Sequence, residues 1–120
     1  MISIRTSGPA DAGTALPDLP PLPISALVAG AAELLQQAAS LPAPAYVTVH
    51  DTTQSISVQF AQHPASKRAI TKWARRFGSV VTSHPDQDQP DTWTWWRADF
   101  DYHGIAVTVF ALIPAAPASI

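Results

Sequence analysis

The sequence predicts an α+β domain, an antiparallel sheet of about five strands with helices on one face, in the order α-β-β-α-β-β-β. Two stretches place apolar residues at helical spacing, and the others alternate apolar and polar residues as half-buried strands do. Hairpins that follow one another, with the helices kept apart from them, are typical of two packed layers. With 120 residues and 47% apolar content, the chain has room for one such domain.

The first helix is predicted to begin at Ile24 and to end before Pro42. Ser25 is placed to cap the free amides of its first turn. Its polar side carries no lysine or arginine, which argues against a helix lying on a membrane surface. We therefore expect a helix that covers the core with Leu27, Ala31, Leu34, Leu35 and Ala38.

The second helix is predicted over residues 64–77, with Gly78 adopting the left-handed conformation that ends many helices. Its apolar stripe is formed by Ile70, Trp73, Ala74 and Phe77. The remaining arc carries five of the seven basic residues of the chain, so the rest of the molecule has two basic residues against nine acidic ones. The five are Lys67, Arg68, Lys72, Arg75 and Arg76.

This basic arc admits two interpretations. It can contact nucleic-acid phosphates, or it can be a solvated surface balanced by the protein's own acidic residues. The net charge of −2 and the isoelectric point near 6.0 favour the solvated surface, because nucleic-acid-binding domains are usually strongly basic.

A first hairpin is predicted within residues 46–60, where apolar side chains alternate on both sides of the polar loop 51–54. A short strand over 79–83 and a polar loop over 84–91 follow the second helix. The expected core-side pairs of the hairpin are Val49 with Ile56 and Val47 with Val58.

A second hairpin is predicted around a two-residue turn at His103-Gly104. A turn at this place brings the apolar residues of both strands together on the core side. The core-side pairs are Phe100 with Val107, Ala98 with Val109 and Trp96 with Ala111. The opposite side pairs Asp99 with Thr108, Arg97 with Phe110 and Trp95 with Leu112.

The side of this hairpin away from the helices carries large apolar residues, which is typical of an interface. We expect Trp93, Trp95, Phe110 and Leu112 to form it, with self-association as the specific form. The alternative is that the N-terminal arm or an irregular loop covers these side chains.

Residues 1–23 are predicted to be a flexible arm, because prolines at positions 9, 17, 20, 21 and 23 stop helix and sheet from propagating. The arm is either a plain linker or a docking segment. Residues 24–114 form the domain and 115–120 a short tail. Leu16, Leu19 and Leu22 are the residues of the arm that could dock in an apolar groove.

Histidine and carboxylate residues give only a weak pattern for chemistry. Asp99, Asp101 and His103 alternate along one strand, and His50-Asp51 borders a loop. No metalloprotease, nucleophile-elbow or phosphate-loop motif accompanies them. Polar residues are common on the solvent side of a hairpin, and this explains their placement. The sequence therefore predicts no catalytic residue, no metal site and no cofactor.

The chain has no cysteine, which favours a reducing, cytoplasmic location. It also lacks the apolar run of a secretory signal at its N-terminus, and the first helix is too short and too polar to cross a bilayer. We expect a soluble protein with no membrane partner.

Three stretches carry a resemblance to known proteins: Tyr46-Val47-Thr48-Val49-His50-Asp51 with Ile56-Ser57-Val58-Gln59, then Trp73-Ala74-Arg75-Arg76-Phe77-Gly78, then the run from Phe100 to Val109. Over about residues 45–113 the chain resembles short uncharacterised proteins of Streptomyces-type actinobacteria, which often accompany prophages and integrative elements. The resemblance implies no activity.

Together these observations favour a non-enzymatic binding or accessory protein that acts through protein–protein contacts, as a homodimer or within a phage or mobile-element assembly. The alternative is a nucleic-acid-binding regulator that uses the basic side of the second helix. A small enzyme of unknown type is a third hypothesis.

Overall fold

The computed structural model describes residues 20–115 and the backbone of residues 2–5, which form a six-stranded mixed sheet and two helices. The elements are β1 (Ile2–Arg5), α1 (Ile24–Gln37), β2 (Tyr46–His50), β3 (Ser55–Gln59), α2 (Ser66–Arg76), β4 (Thr82–Pro85), β5 (Trp93–Tyr102) and β6 (Ile105–Pro114). The sheet order is β1-β2-β3-β6-β5-β4. Helix α1 packs against β2 and β3, and α2 against β5 and β6, and both contribute to one core, so both helices lie on one side. This confirms the α+β class and the helices on one face.

The prediction of a purely antiparallel sheet is wrong. Strand β3 pairs with β6 in parallel, with Ile56 opposite Val107 and Val58 opposite Val109. Each hairpin is antiparallel by itself, and the direction in which the two hairpins meet depends on the crossover through α2, β4 and β5 that separates them. Alternation along a strand carries no information about that direction.

A second parallel pair joins β1 to β2, with Ile2 opposite Val47 and Arg5 opposite His50. The segment that was predicted to be a flexible arm thus begins with a strand. The prolines of the segment lie further along the chain, and none falls within residues 2–5, so they do not prevent this strand. Residues 6–19, with Leu16 and Leu19, lie outside the described residues.

Both hairpin registers are confirmed. Val49 lies opposite Ile56 in the first, and Phe100 lies opposite Val107 in the second. At the turn of the second hairpin, His103 and Gly104 have φ values of 51° and 86°, the left-handed pair that a type I′ turn requires. The turn therefore matches the twist of its strands and sorts the side chains of β5 and β6 onto two faces. The other predicted pairs of this hairpin, on both its faces, have the expected partners.

The helix ends differ from prediction in two ways. Helix α1 begins at Ile24 as predicted, but this start places Ser25 inside the first turn, so Pro23 is the cap residue and there is no side-chain cap bond. Helix α2 begins at Ser66, two residues later than expected, and ends at Arg76. Gly78 has the predicted positive φ of 71°, and the amide of Ser79 donates to the carbonyl of Ala74.

Strand β4 lies about three residues after the predicted strand at 79–83. Because Gly78 and Ser79 close the helix, the chain straightens only later, and Val80 stays 77% exposed. Pairing with β5, where Ser83 lies opposite Trp96, then decides which residues form the strand.

The core lies between the helices and the sheet, and Trp73 is its largest fully buried side chain. The indole Nε1 of Trp73 donates to the carbonyl of Pro42 over 2.9 Å. Its ring lies 5.8 Å from the rings of Phe60 and Phe77, and Phe77 stacks on Phe100 at 4.6 Å. These contacts join α2 to the sheet and to the α1–β2 connection.

Candidate functional site on the open face of the sheet

The open face is the side of the sheet opposite the two helices, and no helix among the described residues packs on it. Four half-buried apolar side chains of β5 and β6 lie there, outside the core cluster. The rings of Trp95 and Phe110 are 5.9 Å apart at 43°. We call these four side chains the aromatic patch: Trp93, Trp95, Phe110 and Leu112.

The β4–β5 loop holds the edges of both tryptophans in the aromatic patch. Trp95 Nε1 donates to Asp86 Oδ1 over 2.8 Å, and Trp93 Nε1 donates to Gln89 Oε1 over 3.0 Å. The alternative that an irregular loop covers the patch therefore holds only for the indole N–H groups, which the loop takes up. It leaves the rings half-buried and fixed in orientation.

Asp86 organises this loop. Its Oδ2 accepts backbone N–H groups from Asp88 and Gln89 over 3.3 and 3.1 Å, while its Oδ1 accepts from Trp95. The bond from Trp95, followed by that from the Gln89 amide, lowers the pKa of the Asp86 carboxyl. Asp86 is therefore ionised at neutral pH and is suited to hold the loop against the patch.

A shallow concavity of about 420 Å³ adjoins the aromatic patch. It opens widely to solvent, and both aromatic rings and polar side chains line it. Its volume lies within the range of small-molecule sites, but such sites are usually enclosed. The lining residues are Ser57, His84, Trp95, Arg97, Thr108 and Phe110.

Polar bonds within the open face neutralise its charges next to the concavity. Arg97 donates to both carboxylate oxygens of Asp99 over 2.8 and 3.1 Å, and Thr108 Oγ1 donates to Asp99 Oδ1 over 2.7 Å. The Arg97 bond lowers the pKa of the Asp99 carboxyl, and the Asp99 bond raises that of Arg97. The Nε and Nη2 groups of Arg97 are therefore already bonded. The charges of Arg97 and Asp99 cancel each other, so the centre of this face is close to neutral.

The histidine and carboxylate residues considered for chemistry do not converge. Asp99 is bonded to Arg97, whereas Asp101 Oδ2 accepts the amide of Gly104 over 3.0 Å in the turn. His103 belongs to that turn and lies 3.7 Å from Glu33, on another element. These carboxylates therefore bond locally, within β5 and the turn that follows it.

The five basic residues of α2 lie on the other side of the molecule, and all are exposed. Among the described residues, none of them forms an ion pair with a carboxylate. Two contact aromatic rings instead: Lys67 Nζ is 4.5 Å from the ring centre of Trp96, and the Arg76 guanidinium is 5.8 Å from that of Phe77. The interpretation of a surface balanced by the protein's own acidic residues thus finds no direct pairing. We call Lys67, Arg68, Lys72, Arg75 and Arg76 the basic face.

Leu22 is the one arm candidate within the described range. Its side chain is 40% exposed, and its backbone N–H and C=O bond to the side-chain amide of Gln54 over 2.7 and 3.1 Å. The contact ties the start of α1 to the β2–β3 turn, so Leu22 has a structural role at the edge of the domain.

The sequence did not identify two residues that line the concavity. His84 was expected in a loop, but it lies on β4 opposite Trp95. Ser57 alternates with the core residues Ile56 and Val58, and only the β3–β6 pairing brings it beside Thr108. No local signal predicts either contact, because both depend on which strands become neighbours.

Over residues 20–115 and strand β1, no group of three histidine or acidic side chains is arranged to hold a metal ion. No helix in the same part of the chain is long and apolar enough to cross a membrane. Comparison with protein-family models, with curated proteins and with solved structures finds no match to this chain.

Proposed function

We propose that this chain is a non-enzymatic accessory protein that acts through protein–protein contact at the open face of the sheet, with a second copy of itself as the partner. The single observation behind the proposal is the aromatic patch, whose half-buried side chains lie on a sheet face that no helix within residues 20–115 covers. Aromatic side chains held at a surface are typical of interface centres.

The size of the open face is suited to a dimer. Strands β5 and β6 each run about 33 Å and the four shorter strands about 13–17 Å, so at about 4.8 Å per strand the whole face of the sheet has a projected area of roughly 600 Å². A standard interface buries about 800 Å² on each partner. Two such faces packed together would therefore approach the size of a stable interface.

The charge of the open face also favours self-association. A two-fold interface brings identical surfaces together, so any uncompensated charge near its centre meets its own sign. Here Arg97 and Asp99 neutralise each other at the centre of the face, whereas the ionised Asp86 lies in the β4–β5 loop, where it is bonded to Trp95. The centres of two copies can therefore approach without strong repulsion.

Sedimentation of the full chain between about 5 and 100 micromolar tests the proposal, since dimerisation depends on concentration. We expect a dimer that Phe110→Glu and Leu112→Glu each convert to a monomer with unchanged circular dichroism. These positions leave the Asp86 and Gln89 bonds intact. Val80→Glu is the matched control, because Val80 is exposed and lies outside the face.

A wild-type protein that stays monomeric throughout this range would reject the proposal. A dimer that survives both open-face variants would reject it equally, since the contact would then lie elsewhere.

A further inference from the structure

The basic face of α2 is uncompensated within its own helix. The buried residues of α2 occupy one arc against the sheet, and the solvent arc contains no acidic residue. Surface helices commonly pair opposite charges three or four residues apart. In α2, Lys72 is instead four residues from Arg68 and Arg76 and three from Arg75, so each of these pairs is a like-charge pair.

Ordinary structural roles account for only part of this charge. Arg75 and Arg76 lie in the last turn, where cations favourably meet the helix dipole, and Lys67 lies over Trp96. Neither role applies to Arg68 or Lys72. The charge of Lys72 also repels the three cations that lie three or four residues from it, which lowers the stability of the helix. The helix therefore carries a repulsion that an external polyanion would relieve.

Acidic residues offset this surface only in part: Glu33 accepts the Tyr102 hydroxyl near Arg76, at one end of the basic face. Asp99 and Asp101 lie on the open face, beyond the sheet and the full width of the helix. That separation exceeds about 10 Å, whereas charges in water are screened over about 8 Å at physiological salt. A ligand at the basic face is exposed mainly to the five cations.

We propose that the basic face binds the phosphate backbone of duplex nucleic acid. Three of the five cations are arginines, whose planar guanidinium groups match phosphate oxygens. The apolar side of α2 is fully used in the core, with Ile70 and Trp73 both 0% exposed, so no apolar residue remains to insert into a lipid surface. An eleven-residue helix is about 16 Å long and faces several phosphates of a duplex at once.

The proposal is independent of the open face, which lies on the opposite side of the molecule. Binding measured with the monomeric Phe110→Glu variant separates the two, because loss of the dimer leaves the basic face intact.

The test is fluorescence anisotropy of the full chain with a labelled random-sequence DNA duplex at low salt. Wild-type protein should bind, and the logarithm of its association constant should fall against the logarithm of salt concentration with a slope of about −3 to −4.5, as expected for three to five phosphate contacts. Lys72→Glu should weaken binding about tenfold or more and reduce the slope by about 1, whereas Lys72→Arg should bind like wild type.

The same variant distinguishes a binding role from a folding defect. Lys72→Glu turns three like-charge pairs into attractive ones, so its melting temperature should rise by about 2–5 °C while its DNA affinity falls. The double variant Gln36→Glu, Gln37→Glu is the control, because it makes the same change in net charge on the exposed side of α1 and should retain binding.

Three results would overturn the proposal: no anisotropy change at low salt, an equal loss of affinity in the α1 control, or binding to phosphatidylserine vesicles or polyaspartate without binding to the duplex.

Discussion

Replacing the buried tryptophan of α2 by phenylalanine tests how the helix layer is fixed to the sheet. Trp73 is 0% exposed, and its Nε1 donates to the carbonyl of Pro42. Phenylalanine removes three ring atoms, whose burial contributes about 2 kcal/mol, and a hydrogen bond of about 1 kcal/mol. We expect Trp73→Phe to lower the free energy of unfolding by about 3 kcal/mol.

Urea unfolding followed by circular dichroism measures this loss. With a denaturant slope of about 1.5 kcal/mol per molar for a chain of this size, the midpoint should fall by about 2 M without a change in slope. Trp93→Phe is the matched control, since the same substitution at a half-buried residue breaks only the exposed bond to Gln89. Its midpoint should fall by less than about 0.7 M.

A midpoint for Trp73→Phe within about 0.5 M of wild type would refute this account of the core. An equal fall for Trp93→Phe would do the same, because burial would then not be the cause.

Three further predictions follow from turns and polar bonds. Gly104→Val should lower the free energy of unfolding by about 1–2 kcal/mol in thermal melts, because φ at this position is +86°. The folded state holds the pKa of the Asp99 carboxyl below its unfolded value of about 3.9, chiefly through Arg97. The stability that this bond contributes is therefore present above about pH 4 and is lost as the pH falls through the folded pKa. In Asp99→Asn, the free energy of unfolding should change less between about pH 2 and 6, as measured by thermal melts. Ser66→Ala should cost about 1 kcal/mol in urea unfolding, since the buried Ser66 hydroxyl donates to the carbonyl of Ala61.

The elements that were predicted correctly depend on residues close together in the chain. The alternation on both sides of His103-Gly104 determines the register of β5 and β6, and so it determines that Trp95 and Phe110 share a face away from the core. Likewise the apolar spacing in α2 separates Trp73 from the basic residues. In each case, turn geometry or helical period alone decides where a side chain points.

Errors occur where distant segments meet. The parallel pairing of β3 with β6 and the addition of β1 to β2 join residues more than 40 positions apart, and no local pattern marks either pair. The loop that bonds the tryptophans of the aromatic patch through Asp86 and Gln89 is also a matter of tertiary contact.

The amino-acid sequence by itself therefore determined the two faces of each element, and with them the aromatic patch and the basic face. Only the tertiary structure decided how exposed these surfaces are. Whether a loop covers Trp95, or whether a carboxylate pairs with Lys72, depends on which elements pack side by side. Side-chain direction follows from backbone geometry over a few residues, whereas neighbours across the fold are selected by the packing of the whole core.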